Sequence, residues 1–210
     1  MTAIITGNFA IAGERIYLDT YNAKVAVPIR SWKTLRDARI VKQDLDFSCG
    51  AASLATILNS FYKQTVNEKI LLEAMDKGNF RASFDDMARM LPKFGFHAIG
   101  YAVSFEQLIK LKIPVVVYLK YRKDDHFSVL RGIDANTVWL ADSALGNRYY
   151  SRSQFLNMWE TRGDASLKGK ILAVLPVNQD STSHTDFFTA NPKRPTALTT
   201  SLQSIRYGPS

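Results

Sequence analysis

Apolar positions change their spacing near residue 110, and the change separates two kinds of predicted element. Residues 1–23 have weak periodicity and predict an irregular arm or an added edge strand, whereas KVAVPI, residues 24–29, alternates as a short strand does. Ser31 is placed to cap a brief helix over WKTLRDAR, residues 32–39. IVKQ then runs extended into QDLDFSCGAAS, residues 43–53, where Asp46 or Ser48 is placed to cap a helix starting near Cys49. That helix carries Ala52, Leu54, Ala55, Ile57, Leu58 and Phe61, so it is apolar on nearly every face. A helix without a polar face is a buried one, and this one is the expected centre of the domain. Thr65 and Glu68 have the capping-box spacing before a helix over 68–77, with Gly78 as its stop. Ser83 opens a helix over 84–94 that Gly95 ends.

FHAIGYAV, residues 96–103, reads as a strand, and Ser104 with Gln107 makes a box before a short helix over 106–112. Beyond it the pattern becomes β-branched: IPVVVYLK, HFSVLRGI, TVWLAD and KILAVLPV are apolar runs separated by RKDD, DAN and a glycine-containing loop. That is the signature of antiparallel strands joined by hairpins. Ser151 and Gln154 box another helix over 153–160. Helices followed by a sheet imply an α+β domain over residues 24–177. From about Asn178 the chain is polar, with three prolines from Pro192 to Pro209, and reads as a tail, residues 178–210, that wraps the surface or is disordered.

Composition narrows the class. At 210 residues and 46% hydrophobic, the chain supports one domain with a real core, and no apolar run approaches a membrane span, so an integral membrane protein is not expected. Residues 1–13 lack the basic start and apolar stretch of an export signal, which leaves a leader-trimmed form open. A single cysteine excludes an internal disulfide framework. The net charge of +8 raises the question of nucleic acid. Its one concentration, Arg30, Lys33, Arg36, Arg39 and Lys42, reads first as the solvated face of a helix, then as a docking surface for an acidic partner. Without a reader motif, no nucleic-acid partner is expected.

Candidate chemistry centres on Cys49. A lone cysteine is commonly a small buried hydrophobe, but at a helix start unpaired N–H groups and the dipole favour the thiolate. A cysteine nucleophile needs a base and a group to orient that base. Of three histidines, His97 in a strand and His184 in the polar tail read as ordinary residues, while His126 begins a strand after a turn. The hairpin from HFSVLRGI to TVWLAD puts Asp142 beside His126, where it is either the orienting carboxylate or a turn cap. Asp125 points to the opposite face and is the weaker orienter. Gln43 is either an exposed polar residue or, with the Cys49 N–H, a two-donor oxyanion hole. Three scattered histidines and one cysteine offer no metal-ligand spacing, and no cofactor is implied.

Gln43, Cys49-Gly50 opening an Ala/Leu-rich helix, HFSVLRGI with His126, and LADSALGNRYYSRSQFLNMW with Asp142 together resemble the C39 peptidases, papain-like cysteine proteases that cut after double-glycine leader motifs. The resemblance runs from about Lys24 to Val177. It is strongest to stand-alone bacterial members found with fimbrial or functional-amyloid export systems. It implies a papain-like fold, with Cys49 as nucleophile, His126 as base, Asp142 as orienter and Gln43 as oxyanion donor. It also implies a protein or peptide substrate with a flexible glycine-containing segment, an export-system partner and a periplasmic setting, with the cytoplasm as fallback. The sequence departs from the family pattern at Ala51, Ala82 and Ser143, which bears on the shape of the substrate cleft. Two further readings stay open: an accessory protein that holds an export substrate without cutting it, its basic surface near Arg36 docking a partner, and an acyltransferase using the same triad.

Overall fold

The computed structural model describes residues 15–20, 23–28, 31–76, 81–121, 124–178 and 183–193. The chain divides into two compact units, residues 1–36 and 37–210. In the first, β1 (Arg15–Thr20) pairs antiparallel with β2 (Ala23–Pro28), and α1 (Trp32–Arg36) follows. Residues 1–14 of the expected arm, Arg30 and Gly78 lie outside the described residues. The expected helix over 32–39 ends at Arg36, and Arg39, three residues on, is in the left-handed region, at φ 61°.

The second unit is a six-stranded antiparallel sheet with helices on both faces. Its strands are β3 (Phe96–Val103), β4 (Val115–Tyr121), β5 (Asp124–Ile133), β6 (Thr137–Asp142), β7 (Gly146–Ser151) and β8 (Gly169–Pro176), in the spatial order β3-β8-β4-β5-β6-β7. One face is covered by α2 (Cys49–Ser60), α3 (Glu68–Met75) and α4 (Phe84–Met90). The other is covered by α5 (Phe105–Leu108) and α6 (Arg152–Trp159). Successive side chains alternate between the two cores, Val116 and Val129 toward α2, Val115, Val117 and Leu130 toward α6. Burial on both faces is why these strands read as continuous apolar runs. Leu54, Ile57 and Leu58 of α2 have no exposed surface, each burial contributing roughly 1.5–3 kcal/mol.

Local capping follows the sequence at Ser104 and Ser151, where both halves of each box form, and at Ser83, where Asp86 completes one. Two caps differ. The Asn67 side chain, not Thr65, accepts from the Ile70 N–H to start α3, because the Glu68 carboxylate is drawn into the core and accepts from the Asp44 N–H at 3.0 Å. Ser48 precedes α2 but makes no capping bond; its hydroxyl is committed to Leu45. The basic run is not one solvated helix face either. Arg39 pairs with Asp186 at 2.8 Å and donates to the Ser60 carbonyl at 2.7 Å, and Lys42 donates to the Ala144 carbonyl at 2.7 Å. β7 was expected as a loop; it adds a strand to β6, with Tyr149 stacked on Trp139 at 5.0 Å.

Residues 183–193 run back across the body. Phe187 is fully buried, stacked under Arg131 at 4.5 Å, and Thr189 exchanges backbone hydrogen bonds with Arg131 and Ile133 of β5. Among the described residues no helix is long and apolar enough to cross a membrane.

Candidate active site

Cys49 is the first residue of α2 and 2% exposed, at the end of the helix where the leading N–H groups have no intrahelical partner. Gly50 lets α4 approach this turn: a Cβ there would lie 2.3 Å from Met87 Cε and 3.7 Å from Ala82 Cβ. Across from the helix, His126 sits two residues inside β5, paired with Leu119 of β4. Asp142 ends β6.

The β5–β6 register sets Val129 opposite Ala141, so His126 and Asp142 lie close on one end of the hairpin. His126 Nε2 and Asp142 Oδ2 are 2.7 Å apart. Asp142 also caps the turn that follows it, its Oδ1 accepting from the Ala144 N–H at 3.0 Å and the Leu145 N–H at 2.8 Å. One oxygen thus contacts the imidazole and the other caps the turn. With Nε2 occupied by Asp142, the other ring nitrogen is the one left for the thiol.

Electrostatics favour an ion pair. Burial alone would raise the Cys49 thiol, but hydrogen bonding to His126 and to the Phe127 backbone, and the charges of His126 and Arg81, bring it below its ordinary value. Burial likewise disfavours charge on His126, yet hydrogen bonds and charge from Asp142 and Cys49 push the imidazolium up to about 10. For Asp142, burial is outweighed by His126 and by the two turn N–H groups, and its carboxyl lies below the usual range. All three shifts run toward the charged forms, thiolate, imidazolium and carboxylate.

Gln43 lies near this array in chain terms, six residues before Cys49, but its amide is engaged: Nε2 donates to the Leu45 carbonyl at 3.0 Å and Oε1 accepts from the Ser143 hydroxyl at 2.8 Å. One Nε2 proton remains. Asp125 faces away from the triad, its carboxylate accepting from the Tyr118 hydroxyl. His97 lies on β3 at the far edge of the sheet, and His184 lies in the segment that crosses the body.

His126 lines one cleft, and its neighbours Asp125 and Phe127 line a second. One, of about 450 Å³, is lined by Asp46, Leu119, Tyr121, Asp142 and Leu145. The other, of about 480 Å³, is lined by Ala82, Phe84, Tyr118, Phe127 and Lys170. Arg81 and Asp125 line both, and Arg81 Nη1 donates to the Asp125 carbonyl at 2.6 Å. Of the three departures, Ala82 is a cleft residue, whereas Ala51 has no exposed surface and packs in the core. Ser143, the third departure, is a partner of Gln43, a role that a serine after an aspartate does not announce; Arg81 was not singled out from the sequence, since an arginine before a helix carries no spacing signal. Among the described residues no group of three His, Cys, Asp or Glu side chains could hold a metal ion.

The chain is similar to known proteins. The model of the Peptidase C39 family matches residues 37–162, more than half of the chain. The probable functional amyloid protease FapD of Pseudomonas fluorescens is 38% identical over 138 residues, covering 62% of this chain and 61% of the relative. The protein of the same name from Pseudomonas aeruginosa is 36% identical over 138 residues, with the same coverage. The chain thus spans 61% of the length of the curated relatives it matches. Among solved structures, a double glycine motif protease from an AMS/PCAT transporter, in complex with the leader peptide, superposes with a TM-score of 0.54 at 25% identity, over 65% of this chain and 90% of that one. The peptidase domain of Streptococcus ComA shares the fold, with a TM-score of 0.55 at 19% identity over 65% of this chain and 97% of its own. The α+β fold is accordingly papain-like, and the chain belongs to the peptidase C39 family.

Proposed function

We propose that the chain is a cysteine endopeptidase that cuts after a small-residue, double-glycine-like site in an exported protein or its leader. The observation that carries this reading is the array of a helix-start thiol, an imidazole that favours its thiolate, and a buried carboxylate 2.7 Å from that imidazole's Nε2. Cys49 is the nucleophile: its thiolate forms a C–S bond to the scissile carbonyl carbon, and the carbonyl electron pair moves onto oxygen. The Cys49 N–H and the remaining Nε2 proton of Gln43 receive that oxyanion. As the C–N bond breaks, His126 gives its proton to the departing amine. Water then attacks the thioester, His126 takes its proton, and the acid and the thiol are released. Asp142 keeps the ring oriented and supports its charge in both half-reactions.

Glycine at the cleavage site suits a buried nucleophile, since a residue without Cβ lets the substrate backbone approach a thiol only 2% exposed. The similarity to a protease named for the double glycine motif supports the same preference, and similarity to functional amyloid proteases supports an export-linked substrate and a periplasmic setting. The test uses peptides with an internal Gly-Gly pair in a flexible segment. The wild-type chain is expected to cut after the second glycine, and Cys49→Ala to cut none; equal cleavage by both would sink the proposal.

A further inference from the structure

Asp142 is followed by a serine that is 1% exposed, and its neighbourhood is the other half of the Gln43 environment. The Ser143 hydroxyl donates to Gln43 Oε1 at 2.8 Å, and the Ser143 carbonyl accepts from the Gln43 backbone N–H at 3.3 Å. At the opposite end of the amide, Nε2 donates to the Leu45 carbonyl at 3.0 Å. A carbonyl only accepts, so Leu45 decides which end of the amide carries the NH2, and the Ser143 hydroxyl supplies the donor that the other end requires. Leu45 is itself held by Ser48, whose hydroxyl donates to its carbonyl at 2.7 Å and accepts from its N–H at 3.2 Å. Ser48 has no exposed surface and directly precedes Cys49. A chain of hydrogen bonds therefore runs from the residue after the sheet's carboxylate, through Gln43 and Leu45, to the residue before the helix's thiol.

The terminal torsion of a glutamine is broad, so an amide held at one end only turns readily. Turning matters here, because the NH2 end stabilises an oxyanion and the oxygen end repels it. We propose that Ser143 is a positioning residue that holds the Gln43 amide with its N–H end toward the oxyanion, an inference that rests on the reading of Gln43 as the oxyanion donor. Ser143 touches no reacting atom. It acts through Gln43 alone, and the Asp142–His126–Cys49 array does not depend on its hydroxyl.

The test is a double-mutant cycle in steady-state cleavage of a Gly-Gly peptide, with Cys49 alkylation by iodoacetamide across pH measured beside it. Gln43→Ala is expected to lower kcat by roughly 10²-fold, Ser143→Ala by roughly tenfold, and the double variant no further than Gln43→Ala. KM and the alkylation profile are expected to match wild type in all three, which a general loosening of the site would not allow. The inference is overturned if Ser143→Ala keeps wild-type kcat, if the two losses multiply in the double variant, or if Ser143→Ala shifts the alkylation profile. Should Gln43→Ala itself keep wild-type kcat while Cys49→Ala is inactive, the oxyanion assignment fails and takes this inference with it, and the peptidase reading stands.

Discussion

Replacing Asp142 separates what this carboxylate does for the fold from what it does for the reaction. It is 3% exposed and holds three donors, the Ala144 and Leu145 N–H groups on Oδ1 and His126 on Oδ2. Asp142→Ala strands all three. Hydrogen bonds to a charged group are worth about 1.5–3 kcal/mol each, part of which is returned because a buried carboxylate no longer has to be desolvated. A net loss of about 3 kcal/mol is expected. Asp142→Asn keeps an oxygen for the two turn N–H groups but sets an NH2 against the ring. His126 must then accept at Nε2 and carry its proton on the nitrogen facing the thiol, as a neutral imidazole. The expected stability loss is about 1 kcal/mol, whereas kcat is expected to fall by roughly 10²–10⁴-fold.

The pH dependence follows from the signs of the two shifts. Asp142 titrates below 3.8 in the fold, so its contribution is whole above 3.8 and is lost as pH falls through the lowered folded value. His126 is raised from 6.5 to about 10, so its contribution is whole below 6.5 and is lost as pH rises through about 10. That rise corresponds to at most about 5 kcal/mol, divided between Asp142 and Cys49 as partners. The stability gap between wild type and Asp142→Ala should therefore be widest between 3.8 and 6.5 and close on either side. Urea midpoints from roughly pH 3 to pH 10 measure it. A gap that stays flat across pH, or an asparagine variant that unfolds as early as the alanine one, would refute the reasoning.

Two other perturbations read different parts of the molecule. Iodoacetamide is expected to alkylate Cys49 at pH values below the ordinary thiol range, near 8.5; His126→Ala should move the profile up because burial is then opposed only by the Phe127 backbone and Arg81, and Arg81→Ala should move it the same way by less, so an unmoved profile in both would remove the ion pair. Phe187→Ala is expected to cost about 3–5 kcal/mol in urea unfolding, since the ring is fully buried and lies 4.5 Å from the Arg131 and 5.1 Å from the Arg39 guanidinium; wild-type stability would show that residues 183–193 are not integral to the fold.

How far the sequence discloses this structure depends on how far apart the interacting residues are. The α2 helix is legible because burial on nearly every side leaves its own residues mostly apolar. The Ser104 and Ser151 boxes are legible because donor and acceptor are three residues apart. Thr65 and Glu68 have the same spacing, yet a backbone N–H 24 residues away claims the Glu68 carboxylate. Tertiary competition overrides local preference there, as it does for Arg39 and Lys42. Strand β7, GNRYYS, has loop composition and becomes a strand only because β6 offers an open edge. The place of β8 between β3 and β4 is likewise a long-range choice.

The same rule divides the site. His126 and Asp142 are 16 residues apart on one hairpin, and the one-residue register shift between Leu130 and Gly132 puts the two side chains on one face. Gln43 and Ser143 are 100 residues apart, and nothing in either residue's surroundings announces the other. Yet the chemistry proposed above needs both relationships. A hairpin keeps a base and its orienter together through any motion of the sheet as a body, but the thiol stands on a helix that must stay in register with that sheet. Packing against β5 supplies most of that register, through Val129 and Phe127. Packing alone tolerates small slides, whereas the hydrogen-bonded chain from Ser143 to Ser48 has fixed lengths at every step. A site split between helix and sheet thus gains its last increment of precision from polar bonds that cross the split, which is where patterns along a single sequence carry least information.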